Sequence, residues 1–495
     1  DLRRVLSSLL RKAGRLDDAL EQLHLALAAY RLAGDRQRAA ITRAAHARII
    51  LDQGNPGRAL SELTEALAIQ REVPFTQFTS QTLSDISLAR MALGHYDDAD
   101  AAIREAIELS RGTDQVSLRI AHLRQRASIA GKRGDYAFAS AALAEAIDLA
   151  RTSGNPRVLP SLLNNLANTQ VRSGHWENAL RSYEEAVSCA RDGGDPGPLS
   201  VFLSNVGTVS MRLGDTARAR RSMEEARSLL DDRSAKARIA DLLHMEAQID
   251  LLEGALVPAG RRLRESLAAA RSAGDRRATG QVLTELAELR RVEGDLRGAE
   301  EAAAEAAQIL LAIGEGSAGG PVSVRACVAL AEGRMKDASR LADAALEVSA
   351  RTAADSDDAT AARLCVARAA LALGDPARAR AAVLPPLASL RRRSDAHFLA
   401  IVELLLSRAE RLLGNRDAAD ALLAGGLRGM DDGRTPFLVR MDCAREGIEG
   451  LCEAGRRGEA EALLERAALE AEAAGALGLA GELEDALGRH EKASE

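Results

Sequence analysis

Aromatic side chains are scarce: Phe, Trp and Tyr together supply 11 of 495 residues. Strand-built cores draw on aromatic and β-branched residues. The shortage therefore argues against sheets and leaves Ala, Leu and other small side chains to fill the interior of closely packed helices. Cysteine is also sparse. Cys189, Cys327, Cys365, Cys443 and Cys452 lie far apart with no CxxC, which speaks against a zinc site or a disulfide framework and fits a reducing, cytoplasmic setting. Lysine occurs five times against 61 arginines, a bias that reads as a high-GC bacterial genome. No window approaches the length of about 18 consecutive apolar residues that a membrane span requires, and no basic-then-apolar leader opens the chain. Neither a span nor a signal peptide is expected. The net charge of −6 and pI near 5.9 give no overall basic footprint, so direct nucleic-acid binding is not expected. The chain opens at Asp1 rather than Met with a short first helix, from which an upstream extension is expected.

What the chain has in abundance is a period. Glycine recurs at Gly14, Gly54, Gly94, Gly134, Gly174, Gly214, Gly254 and Gly294, 40 residues apart each time, and continues at Gly333, Gly374, Gly414 and Gly455. That makes twelve units. Five residues after every one stands alanine, from Ala19 and Ala59 through Ala179 to Ala460. Seven residues before, the residue is Gly, Ala or Ser in every unit but that of Ile448. Small residues at fixed helical spacing mean that helix backbones cross too closely for larger side chains. The glycine supplies the positive φ at which a first helix stops. Asp or Asn often follows, as at Asp135, Asp215, Asp295 and Asn415, where it can cap a second helix. A second break recurs near mid-period, at Gly34-Asp35, Gly154-Asn155 and Gly274-Asp275. Each unit therefore reads as two helices of roughly 15–18 residues joined by short turns.

The stretch 166–190 shows the pattern best. Trp176, Ala179, Leu180, Tyr183, Ala186, Val187 and Ala190 share one helical face, and Leu162, Leu163 and Leu166 face them from the preceding helix. The run Leu166, Ala167, Gly174, Ala179, Tyr183 and Ala186 resembles the tetratricopeptide repeat. The next unit repeats it as Val206, Gly207, Gly214, Ala219, Met223 and Ala226. The resemblance covers nearly the whole chain and departs in length, 40 residues instead of the usual ~34. It implies an all-α, right-handed α-solenoid of about twelve helix-turn-helix repeats.

The period divides the chain into a regular array over 1–313 (about eight repeats), a Gly-rich hinge or bend at 314–321 (GEGSAGGP), a looser array over 322–488 (about four repeats) with a capping helix at Leu477–Leu487, and a frayed tail from 489 to 495. The Gly-rich segment lacks the GK[ST] ending and the preceding strand of a phosphate loop. The leading helix after it is expected over Val322–Glu332. Pro385-Pro386 should end or kink the second helix of the tenth unit, and Gly425, Gly426 and Gly429 should weaken that of the eleventh.

Nothing in the sequence marks catalysis. The eight histidines (His24, His46, His95, His122, His175, His244, His397 and His490) form no HExxH pair, and acid pairs such as Glu184-Glu185 fall on outer faces. No catalytic residue, cofactor or metal is expected, and the isolated thiols read as structural. Binding is the better expectation. In tetratricopeptide repeats the leading helices line a concave groove and touch ligand from positions nine, six and two before the turn glycine. In units four to six these are Gln125, Ser128 and Lys132; Asn165, Asn168 and Arg172; Asn205, Thr208 and Arg212. Carboxamides can bond an extended peptide's N–H and C=O, while one cation per repeat suits acidic side chains or a terminal carboxylate. A solvated groove without a dedicated ligand is the plain alternative. The resemblance thus implies a non-enzymatic scaffold binding a protein or peptide, as the sensor or interaction region of a larger bacterial signalling or transcription-regulatory protein. A regulatory array on a protease or other effector enzyme, or an oligomerisation scaffold, are the alternatives.

Overall fold

A computed structural model describes residues 1–72, 76–111, 115–194, 196–230, 235–314, 316–350, 356–393, 398–431 and 435–491. His397 and the last four residues of the expected tail lie outside them. Two compact units divide the chain, 1–202 and 203–495. The first contains α1 (Leu2–Lys12), α2 (Leu16–Leu32), α3 (Arg36–Asp52), α4 (Pro56–Glu72), α5 (Thr76–Ala92), α6 (Tyr96–Arg111), α7 (Val116–Lys132), α8 (Tyr136–Thr152), α9 (Leu159–Arg172) and α10 (Trp176–Gly193). The division falls within α11 (Pro196–Arg212). The second unit continues with α12 (Thr216–Ser228), α13 (Lys236–Glu253), α14 (Leu256–Ala273), α15 (Arg276–Glu293), α16 (Leu296–Ala312), α17 (Gly319–Ala331), α18 (Met335–Ala350), α19 (Asp357–Ala372), α20 (Pro376–Arg393), α21 (Leu399–Leu412), α22 (Arg416–Met430), α23 (Phe437–Glu453), α24 (Arg457–Ala474) and α25 (Leu477–Glu491). Among the described residues there is no strand. Odd-numbered helices up to α23 lead their repeats and even-numbered ones follow, so the fold is an all-α helical solenoid.

The small-residue register has a direct physical cause. All twelve alanines placed five residues after the turn glycines are fully buried. At two of the three serines that occupy the position seven before the glycine the hydroxyl crosses to the backbone of the partner helix, whereas Ser7 Oγ donates to the Arg4 carbonyl of its own helix. Ser87 Oγ donates to the Ala99 carbonyl at 2.8 Å, and Ser407 Oγ to the Ala419 carbonyl at 2.7 Å. In the unit where glycine stands there, a Cβ on Gly207 would lie 3.3 Å from the Ala219 carbonyl oxygen and 2.4 Å from Met223 Cε. Gly174 closes the first helix of its pair at φ 80°, and side chains of Asp135, Asp215 and Asp295 accept from the backbone N–H three residues on. Asn415 does not cap. It stands at the N-cap position, but its side-chain oxygen accepts no cap hydrogen bond, and its Nδ2 donates to Glu410 at 2.5 Å.

Two expected boundaries are corrected. Of the two outcomes expected at Pro385-Pro386, an end or a kink, the first does not occur: α20 continues through both prolines. The Ala382 carbonyl, which the ring of Pro386 leaves without its helical donor, receives Arg363 Nη1 at 3.4 Å, and buried Val383, Leu387 and Leu390 hold the helix on both sides of the prolines. The leading helix after the Gly-rich segment starts at Gly319, three residues before Val322. A Cβ there would meet the Ala345 carbonyl oxygen at 3.0 Å, so the glycine admits the first turn of α17 against α18. α22, which carries Gly425, Gly426 and Gly429, extends to Met430, and Gly426 lies where a Cβ would press on Leu404 and the Ala400 carbonyl.

The capping helix does more than cover the last repeat. α25 packs on α23 and α24 and also returns to α15, while α23 reaches α13. The Phe437 ring lies against Gly254, where a Cβ would approach it to 3.0 Å, and Gly478 lies against Gly294, where a Cβ on Gly478 would fall 2.6 Å from the Gly294 nitrogen. Between these helices lies a buried ion network. Arg368 pairs with Asp442 (3.1 Å) and Glu446 (3.0 Å), and Arg408 with Glu446, Glu449 and Glu453. Arg291 and Arg445 both hold Glu482 of α25. Burial works against the charge on Glu446, but Arg408, Arg445 and Arg368 overcome it and hold the carboxyl down at about 2.

Two outcomes are expected. Ala179→Leu overpacks the hairpin and costs roughly 1–3 kcal/mol, read as a lowered denaturation midpoint; an unchanged midpoint would contradict the register. Arg408→Ala leaves three carboxylates without their shared cation and costs about 3–5 kcal/mol in the second unit's transition. Because Glu446 is depressed from 4.5, its contribution is complete above that pH and disappears as pH falls through about 2. In Arg408→Ala that acid-range loss is smaller.

Candidate functional site

In the first unit, α5, α7 and α9 line a cavity of about 830 Å³. Six of the nine expected ligand residues meet there: Gln125, Ser128 and Lys132 from α7, and Asn165, Asn168 and Arg172 from α9. The lining includes Arg48, Arg124, Lys132 and Arg172 and no Asp or Glu. Arg48 is committed to Asp85 at 2.8 Å and Asp52 at 3.3 Å. Among the described residues, Arg124, Lys132 and Arg172 have no ion-pair partner. Arg124 is the cation that the register of nine, six and two missed, since it lies ten before its turn glycine.

The amides differ in what they can still offer. Gln125 is engaged at both ends, its Oε1 accepting from Ser84 Oγ at 2.6 Å and its Nε2 donating to the Ser84 carbonyl at 2.8 Å. Asn168 Oδ1 accepts the Tyr183 hydroxyl at 2.6 Å, which leaves its amide N–H groups to donate. Burial pushes the Tyr183 phenol up to about 12, so it remains a donor. The cavity is therefore rich in donors and cations.

Asn205, Thr208 and Arg212 belong to the second unit. Thr208 Oγ1 donates to the Ser204 carbonyl at 3.0 Å, and Arg212 pairs with Asp357 at 3.1 Å. That unit has its own cavity of about 580 Å³, bordered by Asp241, Asp275, Glu285 and Asp358, where His244 lies 2.9 Å from Glu285. Burial lowers His244, and Glu285 and Asp241 more than offset it, so the imidazole is held above its ordinary value. In the last repeat, positions nine, six and two before Gly455 are Glu446, Glu449 and Glu453, the acids already bound by Arg368 and Arg408.

The histidines fall into distinct settings. His95 and His175 are exposed turn residues. His46 is buried between Glu62, 2.7 Å from Nδ1, and the exposed His24, 2.9 Å from Nε2, a pairing across three helices that sequence spacing did not show. Glu449, Glu453 and His490 bring ligand atoms within 4.8 Å of one another. Arg408 and Arg489 already neutralise Glu449, so that cluster is built as an ion pair. No described helix is long and apolar enough to cross a membrane.

His122, on α7, is buried with neither ring nitrogen hydrogen-bonded, and burial lowers it to about 4. The unfolded chain takes up this proton near 6.5 and the folded unit only near 4, so stability falls as pH drops through that window. His122→Leu is expected to flatten the dependence of the first unit's unfolding midpoint between these values; an unaltered slope would place the titration elsewhere.

A family model described as "MalT-like TPR region" matches residues 199–425, and two described as "tetratricopeptide repeat" match 117–192 and 80–113. No curated protein matches the chain. Similar solved structures include BtubC from P. vanneervenii, 19% identical over 45% of this chain and 90% of that one, with TM-score 0.38. The apo form of RapI is 16% identical over 55% and 98%, with TM-score 0.42. Aspartyl phosphate phosphatase F from Bacillus subtilis is 11% identical over 56% and 72%, with TM-score 0.44.

Proposed function

The chain belongs to the tetratricopeptide-repeat proteins, and from that premise we propose that it is a non-enzymatic scaffold whose first unit takes up an acidic peptide segment of a partner protein. The observation that carries this reading is the charge of the cavity of α5, α7 and α9: four basic side chains, no acidic one, and three of the cations unpaired among the described residues. Unpaired cations gathered in a concave site favour a ligand that brings carboxylates. Lys132 and Arg172 supply the charge, and Asn165 and Asn168 supply amide donors for peptide carbonyls. Ser128 offers a hydroxyl at the same wall, while Gln125 stiffens the floor through Ser84.

The second unit supports the chemistry by example. There the same register of leading helices is occupied by Glu446, Glu449 and Glu453 against Arg368 and Arg408. An acidic segment in the first unit would make the equivalent pairing from outside the chain. Its role would be that of the interaction region of a bacterial regulatory protein working in the cytoplasm, with capture of the partner as the signal.

Fluorescence anisotropy with labelled acidic, neutral and basic peptides of equal length tests this reading. The acidic peptide is expected to bind, to weaken as salt rises, and to lose about tenfold or more in affinity with Lys132→Ala/Arg172→Ala, equivalent to roughly 1.4 kcal/mol. Equal binding of acidic and basic peptides, or a double variant indistinguishable from the parent, would overturn it.

A further inference from the structure

Two cysteines from neighbouring repeats meet on the inner side of the second unit. Cys327 lies on α17, six residues before its turn glycine, and Cys365 on α19, nine before its own, so both occupy the inward-facing register of leading helices. Their sulfurs are 3.6 Å apart. Cys365 is buried, with the Ser323 carbonyl 3.7 Å from its sulfur, whereas Cys327 is half-buried. No other pair among the five thiols is so placed among the described residues.

From this juxtaposition we infer that Cys327 and Cys365 form a peroxide-sensitive dithiol, with Cys327 as the attacking thiolate and Cys365 as the resolving thiol.

The surroundings separate the two roles. A hydrogen bond from the Cys365 thiol, aided by the nearby cations Arg291 and Arg368, holds Cys327 below the ordinary thiol range in spite of burial. Cys365 is driven well above that range, first by Cys327 itself and then by burial. The other three thiols lie on the unreactive side. Burial, with Glu185 and Asp192, raises Cys189; burial, with Asp442, raises Cys443; burial, with Glu449 and Glu453, raises Cys452 despite Arg457. Thiolate character selects one sulfur for oxidation.

The chemistry closes with hydrogen peroxide as the oxidant. The Cys327 thiolate attacks one peroxide oxygen; an S–O bond forms, the O–O bond breaks, and hydroxide leaves and takes up a proton. The Cys365 sulfur then attacks the sulfenic sulfur; the S–S bond forms, the S–O bond breaks, and water leaves with the thiol proton. Two thiols and one peroxide become one disulfide and two waters. The sulfurs must close from 3.6 Å to about 2.05 Å. The bond joins α17 to α19, beside Arg368 of the ion network that anchors α23. It also removes the thiolate that faces Arg291 and Arg368. Oxidation therefore bears on the contacts that fold the last repeats back onto α15.

The full reduced chain, exposed to limiting hydrogen peroxide in its native state, provides the test by intact mass, thiol counting and peptide mapping. A loss of about 2 Da, two thiols consumed and a linked peptide carrying Cys327 and Cys365 are expected, with a higher melting midpoint than the reduced form. Cys365→Ser is expected to leave a sulfenic acid at Cys327 that dimedone traps, and Cys327→Ser to protect Cys365 from oxidation. Melting curves of the reduced variants establish that each is folded. Oxidation falling first on Cys189 or Cys452, absence of the linked peptide, or unchanged oxidation of Cys365 in Cys327→Ser would overturn the inference.

Discussion

Close crossing of the two helices in each repeat is the constraint from which the remaining features follow. A serine hydroxyl on one helix touches the backbone carbonyl of the next at Ser87 and Ser407, and a Cβ on Gly207 would collide with Met223. At such separations dispersion contacts of small side chains replace the large apolar side chains of an ordinary core. This is why the chain manages with so few aromatics, and why the buried alanine five residues after each turn glycine is invariant along the array. It also fixes which residues of a leading helix point away from its partner, and so which residues are available for other work.

The two units use that inward register in opposite ways. In the first, it presents Lys132, Asn165, Asn168 and Arg172 to a cavity with no acidic lining residue. In the second, cations of one repeat meet carboxylates of a later one, and α23 and α25 return to α13 and α15. Buried ion pairs contribute little net stability compared with apolar packing, but removing one partner is costly. Their effect here is to specify how the last repeats seat, because Glu446 finds compensation only where Arg368, Arg408 and Arg445 converge. One geometric position thus serves as an open cationic surface in one unit and as an internal latch in the other.

Much of this was legible in the residues. The 40-residue glycine period, the alanine register and the helix pairs follow from spacing alone, and the positions nine, six and two before the glycine found six residues of the first unit's cavity. What failed had tertiary causes. Helix α20 passes through Pro385 and Pro386 with Arg363 of the preceding helix on the Ala382 carbonyl and its own Val383, Leu387 and Leu390 buried against neighbouring helices. Gly319, placed before the helix by the sequence pattern, belongs to its first turn because it admits close contact with α18. The engagement of Gln125 by Ser84 and of Arg212 by Asp357 spans 41 and 145 residues, beyond any local pattern. The latch was nevertheless visible in principle: the same register read in the last repeats gives Arg368, Arg408, Glu446, Glu449 and Glu453, a self-complementary set.

Amide hydrogen exchange on the intact chain, with and without a saturating acidic peptide, tests this division of labour most directly. Added protection confined to α5, α7 and α9, with α19, α21 and α23 already slow and unchanged, is the expected result. Protection gained in α19, α21 or α23, or no change in α7 and α9, would contradict it.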